Sequence, residues 1–98
     1  METVVRVSET CRAAYEAWFR ANGELAGVLE DELRAELIRR DGQPESAHFV
    51  PDGNPPCWVW RFNANTTIRY TLREEAVSGW LFGKRRRKVV IIGIGPPT

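Results

Sequence analysis

The chain has 98 residues, of which 43% are hydrophobic and 28% charged, a composition typical of one folded domain. No apolar run approaches the roughly 20 residues that a membrane helix requires. Glu2 and Glu9 stand where a secretory signal peptide would need a basic and then an apolar segment. We therefore expect a single cytoplasmic domain, residues 1–98, that does not enter a membrane.

Charge is divided unevenly along the chain, although the net charge is only +1. Residues 1–56 hold 6 Arg and 11 Asp or Glu, whereas residues 57–98 hold 8 Lys or Arg and 2 Glu. This asymmetry indicates either an anionic partner for the second half or an acidic-to-basic contact within or between subunits. The sequence does not separate these alternatives, and it leaves open whether the chain forms a homodimer.

Metal and cofactor motifs are missing from the sequence. Cys11 and Cys57 are 46 positions apart and the chain has a single His, so no CxxC pair or zinc-ligand spacing is present. We predict that both Cys residues are small buried thiols. Gly93-Ile94-Gly95 is followed by prolines rather than by a helix, so it does not fit a nucleotide-binding fingerprint. We expect no metal and no cofactor.

The first elements are a strand and an amphipathic helix. Residues 3–7 alternate as a short strand, and Ser8 or Thr10 can cap the helix that follows. Apolar residues at helical spacing then predict a stripe that faces the core. That stripe is Cys11, Ala14, Tyr15, Trp18 and Phe19.

A second helix is predicted over residues 24–40, with Gly42 closing it in a left-handed cap. Acidic residues lie early and in the middle of this helix and Arg residues lie in its last turn, which suits the helix dipole. We interpret the paired carboxylates as a solvated helix face rather than as an acid/base site. The predicted apolar face is Leu25, Val28, Leu29, Leu33, Leu37 and Ile38.

Residues 43–56 contain four prolines and are predicted to form a loop. Loops of this length are uncommon in compact domains and are often functional or mobile. His48 lies within it. A lone His in a polar loop is usually just exposed, but imidazole is also the side chain best suited to proton transfer near neutral pH.

The second half of the chain reads as consecutive antiparallel strands. Strands are predicted at residues 57–63 and 66–73, with a tight turn at Ala64-Asn65 between them, and at residues 77–82 and 86–94. Two helices cover only one face of such a sheet. The predicted fold class is therefore α+β: an N-terminal strand, a two-helix hairpin, and an antiparallel sheet of three to four strands with the helices on one face.

Period-two alternation predicts which side chains face the helices. The apolar set, expected under the helices, is Trp58, Trp60, Phe62, Ile68, Tyr70 and Leu72. The polar set, expected on the open side, is Arg61, Asn63, Thr67, Arg69, Thr71 and Arg73.

Two interpretations are open for the basic residues. The arginines of the polar set form either a solvated sheet face or a surface that binds phosphates. Similarly, the basic run at residues 84–88 is either a polar hairpin tip that prevents edge-to-edge association or part of the same phosphate-binding surface.

The element order and several segments resemble the RelE/ParE superfamily of toxins from bacterial type II toxin–antitoxin systems. The resemblance covers most of the chain and implies a RelE-like fold for residues 1–98. The segments that carry it are Val-Val-Arg-Val-Ser at the start, Trp-Val-Trp-Arg-Phe and Thr-Ile-Arg-Tyr-Thr-Leu in the central hairpin, and Val-Val-Ile-Ile-Gly-Ile-Gly at the end.

If the resemblance holds, it implies a metal-free endoribonuclease that acts on mRNA at the ribosome. In that reaction the 2′-hydroxyl attacks the adjacent phosphate, which requires a base, a cation at phosphorus and an acid. Arg61 matches the central-hairpin Arg of the family, and with Arg69 and His48 it forms the expected catalytic set. Tyr70 is the other candidate acid or base, but the alternation places it on the buried face. The expected nucleic-acid-binding residues are Arg73, Arg85, Arg86, Arg87 and Lys88.

The resemblance also implies a partner, a cognate antitoxin that covers the basic face. The alternative function is a non-catalytic interaction module, such as a ParE-like gyrase inhibitor or a small phage or accessory binding protein.

Overall fold

The computed structural model describes residues 2–21, 26–76 and 85–97. The predicted strand at residues 77–82 lies outside this part of the chain. No helix within the described part is long and apolar enough to cross a membrane. The elements are β1 (Glu2–Val7), α1 (Glu9–Arg20), α2 (Ala26–Arg39), β2 (His48–Val50), β3 (Cys57–Asn63), β4 (Thr66–Ala76) and β5 (Arg85–Gly95).

The five strands form one mixed sheet in the order β1-β5-β4-β3-β2. The prediction of an α+β fold is confirmed, but the sheet is neither limited to four strands nor wholly antiparallel. β1 lies parallel to β5, with Val5 opposite Val89, whereas the other neighbours are antiparallel. Alternation within a strand does not encode the direction of a partner that lies far away in the chain, which is why this arrangement was not foreseen.

The fifth strand is β2, which lies inside the segment predicted to be a loop. Its three residues pair with the start of β3, with His48 opposite Val59 and Val50 opposite Cys57. A strand this short gives almost no periodic signal, and the surrounding prolines hide it. The Asn54–Pro55 peptide bond in the connection to β3 is cis.

Helix α1 packs one stripe against the sheet. Its N-cap is Ser8, whose Oγ accepts a hydrogen bond from the Cys11 N–H at 3.3 Å, so Ser8 rather than Thr10 fills the predicted role. Cys11, Tyr15 and Phe19 are buried at intervals of one helical turn, as predicted. Ala14, which was expected in the same stripe, is exposed.

Helix α2 buries a narrower face than predicted, and Leu25, which was predicted on this face, lies outside the described residues. Leu33 and Leu37 are completely buried, but Val28 and Ile38 are 55% and 48% exposed. Helix α2 is also anchored to the outer edge of β1, because Arg34 Nη1 donates to the Val5 carbonyl oxygen at 3.1 Å. The same guanidinium pairs with Glu30 at 3.4 Å.

Gly42 ends the second helical segment in the left-handed conformation that was predicted, with φ of +78°. Its N–H donates to the Leu37 carbonyl oxygen at 2.7 Å. A Cβ at this position would lie 2.6 Å from Leu72 Cδ1, so the turn is packed directly against β4. The Gly42 carbonyl oxygen accepts a 2.7 Å hydrogen bond from the Tyr70 hydroxyl.

The core lies between the helices and one face of the sheet. Trp60, Ile68 and Tyr70 are buried, and the other members of the predicted apolar set, Trp58, Phe62 and Leu72, are half-buried against the core. Both Cys residues are buried thiols, as predicted. Burial raises the pKa of the Cys11 thiol.

We expect Tyr70→Phe to lower the free energy of unfolding by about 1–3 kcal/mol, because it leaves the buried Gly42 carbonyl oxygen without its donor. The matched control is Tyr15→Phe, since the buried Tyr15 hydroxyl has no hydrogen-bond partner of ordinary geometry among the described residues, although Glu30 and Arg34 lie near enough to affect its pKa. Urea unfolding of both variants measures the difference. Equal losses in the two variants would contradict the importance of the Tyr70–Gly42 hydrogen bond.

Candidate nucleic-acid interface

The sheet face that does not contact the helices, called the open face below, carries most of the described cations of the strands. The register places these cations on the side opposite the buried residues of each strand. Arg61, Arg69 and Arg73 lie on it, as the alternation predicted. The strand cations of the open face are Arg6, Arg61, Arg69, Arg73, Arg86 and Lys88. The strand carboxylates of this face are Glu2 and Glu75, and Asp52 lies beside it in the loop before β3.

The predicted basic run does not form one surface. Residues 85–88 belong to β5, so successive side chains point to opposite faces: Arg86 and Lys88 to the open face, Arg85 and Arg87 to the helix side. Arg87 Nη1 donates to the Asp41 carbonyl oxygen at 3.0 Å on that side. Arg85 and Arg87 therefore do not share a face with Arg86 and Lys88, and their assignment to nucleic-acid binding stays a prediction.

The helix-side arginines are also neutralised locally. Glu74 lies 3.0 Å from Arg87 Nη2 and 3.7 Å from Arg85 Nε. On the open face, Arg86 Nε pairs with Glu75 at 2.6 Å, and this hydrogen bond holds the pKa of the Glu75 carboxyl below its usual range. The two acids of the second half of the chain thus screen three of the four arginines and lysines of the described basic run.

The acidic first half of the chain does not neutralise the basic second half. Among the described residues, every ion pair joins partners from the same half, for example Glu36 with Arg39 and Arg40. An acidic-to-basic contact within one subunit, one of the alternatives raised by the charge asymmetry, is therefore not seen in the described part of the chain. An anionic partner remains as an explanation for the open face.

Arg73 and Lys88 are the least compensated pair on the open face. They are directly opposite each other on β4 and β5. Like charges opposite each other across an antiparallel pair destabilise a sheet. Neither residue forms an ion pair with a described carboxylate, although the charges of both help to lower the pKa of Glu75. Arg6 lies on the neighbouring strand β1, opposite Val90, and extends this positive surface.

Arg69 and His48 lie in one row across the sheet, in which His48 is opposite Val59, Val59 opposite Arg69, and Arg69 opposite Gly93. The aliphatic part of Arg69 lies across Gly93, where a Cβ would be 3.6–3.9 Å from its Cβ, Cγ and Cδ atoms. Arg69 therefore leans toward β5, away from His48.

The structure thus brings the three predicted catalytic residues to one face without joining them. The Cα atoms of His48 and Arg69 are two strands apart, about 10 Å, with Val59 between them. Arg61 is two positions beyond Val59 on β3 and donates through Nη2 to the Ala64 carbonyl oxygen at 3.4 Å. This arrangement can bind phosphates at separate points, but it does not pair a base with a cation.

Tyr70 is excluded as an acid or base of the open face. Its side chain is completely buried on the helix side and its hydroxyl donates to Gly42. Burial raises the pKa of Tyr70 well above its ordinary value. The described residues also hold no cluster of three or more His, Cys, Asp or Glu side chains that could ligate a metal.

A groove with a volume of about 860 Å³ lies on the helix side of the sheet, between α2 and β3. Its walls carry both signs of charge, from Glu32, Glu36 and Arg39, above the rings of Trp60 and Phe62. Arg61 also lines this groove, although its position on β3 belongs to the open face. Because it lacks the excess of cations found on the open face, this groove does not suit a phosphate backbone.

Sequence reasoning missed two parts of the open face. Arg6 was placed in the first strand, but its membership of this surface depends on β1 lying beside β5, which the sequence did not reveal. The other part is loop 52–55, which borders a cleft on the open face together with Arg69. Both features depend on distant segments lying side by side, and such contacts leave no periodic pattern in the sequence.

Comparisons of the chain with protein-family models, curated proteins and solved structures find no significant match. The resemblance to RelE/ParE toxins therefore rests on the residue patterns of the sequence.

We expect Lys88→Gln to raise the free energy of unfolding by about 0.2–1 kcal/mol at low salt, because it relieves the repulsion between Arg73 and Lys88. The gain should shrink as added salt screens the charges. Arg85→Gln is the control, since it removes a cation of the same run that already pairs with Glu74. A loss of stability in Lys88→Gln at low salt would show that the pair is compensated in solution.

Proposed function

We propose that the protein binds single-stranded RNA on the open face, as a RelE-like toxin of a type II toxin–antitoxin system that acts on mRNA at the ribosome. The observation that carries the proposal is the opposition of Arg73 and Lys88, which form no ion pair with a described carboxylate. A bound phosphate between them would replace a repulsion by two charge-assisted hydrogen bonds. Such contacts also release counterions from the nucleic acid.

The shape and chemistry of the open face favour a single strand over a duplex. Readout of the major groove of a DNA duplex requires a protruding helix or ribbon, whereas a sheet offers a broad platform. Apolar side chains such as Val59, Val90 and Ile92 lie among the cations and can contact unstacked bases. The hydroxyl groups of Thr67 and Thr71 add hydrogen-bonding groups that suit ribose or phosphate.

RNA cleavage is the more demanding part of the proposal. Arg61 and Arg69 supply cations for the phosphate, and His48, the only His of the chain, is the available acid or base. Its separation from Arg69 in the free protein means that a bound strand would have to bring the reacting groups together. Binding is thus supported more directly than cleavage.

The positive charges of the open face also suit an acidic protein partner. A cognate antitoxin with an acidic segment would neutralise the open face and compete with RNA for it. This competition would explain how one surface serves both toxicity and its control.

The second candidate is a non-catalytic interaction module, such as a ParE-like gyrase inhibitor or a small phage or accessory binding protein. The observation in its favour is the row His48–Val59–Arg69, in which an apolar residue separates the candidate base from the candidate cation. Such a module would use the open face for binding alone.

We expect binding of a single-stranded RNA oligonucleotide to weaken steeply with salt, and Arg73→Gln to reduce the salt slope by about 0.7 because one phosphate contact is lost. Fluorescence anisotropy at several salt concentrations measures this slope. Arg20→Gln, which removes an exposed cation from α1 on the other side of the sheet, is the matched control. Equal effects of the two substitutions would mean that the open face is not the binding surface.

Expression in bacterial cells separates the proposed functions. Growth arrest with cleaved mRNA is expected for the RNA-cutting toxin, and Arg61→Glu with Arg69→Glu should abolish it because both charges on the face are reversed. Arrest with DNA damage would instead support gyrase inhibition, and no arrest would remove both toxin functions. Toxicity that survives the double reversal but is lost in Arg20→Glu would place the active surface on the helices.

A further inference from the structure

A cleft of about 720 Å³ lies on the open face, between loop 52–55 and the strands. The start of α1 closes one end of it through Ser8 and Thr10. Its volume is within the range of small-molecule sites in proteins, about 300–1,000 Å³. The side chains of its apolar lining are Val50, Pro55, Cys57, Val59 and Ile92.

Besides the hydroxyl residues Ser8 and Thr10, three polar residues border this apolar lining: Arg69, Asn54 and Asp52. Arg69 also lines a smaller cavity of about 210 Å³, together with Thr67 and Pro96. Arg69 therefore lies between two concavities of the sheet. Ligand sites in proteins commonly combine such an apolar lining with a few polar groups that fix orientation.

We propose that the cleft binds one nucleotide, with its base on Val50 and Val59, on the loop side of Arg69, and its 5′-phosphate on Arg69. This inference rests on the proposed function and gives it a specific subsite. Aliphatic side chains are suited to pack on the flat faces of a base. The Asn54 amide offers both a donor and an acceptor, which is what the edge of a base requires. Guanidinium binds phosphate through two parallel hydrogen bonds.

The charges of the cleft determine the orientation of the nucleotide. The Asp52 carboxylate repels a phosphate, so the phosphate lies at the Arg69 end and the base or ribose donors lie toward the loop. Arg69 is partly positioned before binding, because its aliphatic stem already lies across Gly93. Less conformational freedom is then lost when the nucleotide binds.

Titration of the protein with adenosine and uridine 5′-monophosphate, followed by amide chemical shifts in NMR spectra, tests the inference. Ribose 5-phosphate and inorganic phosphate are the matched probes that lack a base. We expect at least one nucleotide to bind about tenfold more tightly than ribose 5-phosphate, with shifts at Val50, Asn54 and Val59. Equal affinity of nucleotide and ribose 5-phosphate, or chemical-shift changes confined to other surfaces, would overturn the proposal that the cleft binds a nucleotide.

Substitutions separate the cleft from the rest of the open face. We expect Arg69→Gln to weaken nucleotide binding about tenfold and Asn54→Ala about threefold. Arg73→Gln, a change on the same strand as Arg69 but outside the cleft, should leave nucleotide affinity unchanged while weakening oligonucleotide binding. Loss of nucleotide binding in Arg73→Gln equal to that in Arg69→Gln would count against a defined subsite.

The two proposals can fail independently. Oligonucleotide binding that depends on Arg73, together with no nucleotide binding, would reject the cleft and retain the proposed function. Nucleotide binding in the cleft without oligonucleotide binding would support a site for free nucleotides and reject the RNA-binding function. Absence of both would reject both.

Discussion

The fold depends on the contact between one face of the sheet and two helices. Leu33 and Leu37 are completely buried opposite strands whose inward residues, Tyr70, Val89 and Ile91, are also completely buried. Because these side chains occupy one side of each strand, the alternate side chains are fixed on the other. The same packing that stabilises the protein therefore assembles the cations of the open face, which come from four strands and from both ends of the chain.

That assembly has an electrostatic consequence. Glu74 and Glu75 are placed beside the arginines at the start of β5, where they form ion pairs on both sides of the sheet. The next pair on the open face, Arg73 opposite Lys88, acts on Glu75 through its charge but forms no ion pair with a described carboxylate. Sites that break a local rule of stability are often functional, and here two like charges are directly opposite each other on neighbouring strands.

The sequence predicted the features that depend on contrast between neighbouring residues. Trp58 to Leu72 alternates strongly between apolar and polar side chains, so the faces of the central hairpin were assigned correctly except at the bulge before the turn, where Asn63 lies opposite the buried Thr66. The basic run lacked that contrast, since every residue in it is charged, and its division between two faces could not be recognised. The parallel pairing of β1 with β5 and the cleft beside loop 52–55 depend on contacts between distant segments, which no local pattern records.

The hydrogen bond from Arg34 to the Val5 carbonyl oxygen has a consequence for self-association. β1 is an outer strand of the sheet, and its unpaired backbone groups would be a template for the addition of a foreign strand. The guanidinium occupies an acceptor at the middle of that template and belongs to a side chain held by α2. A strand from another molecule would have to displace the Arg34 guanidinium before it could pair regularly with β1. Helix α2 therefore opposes the addition of a strand at this edge of the sheet.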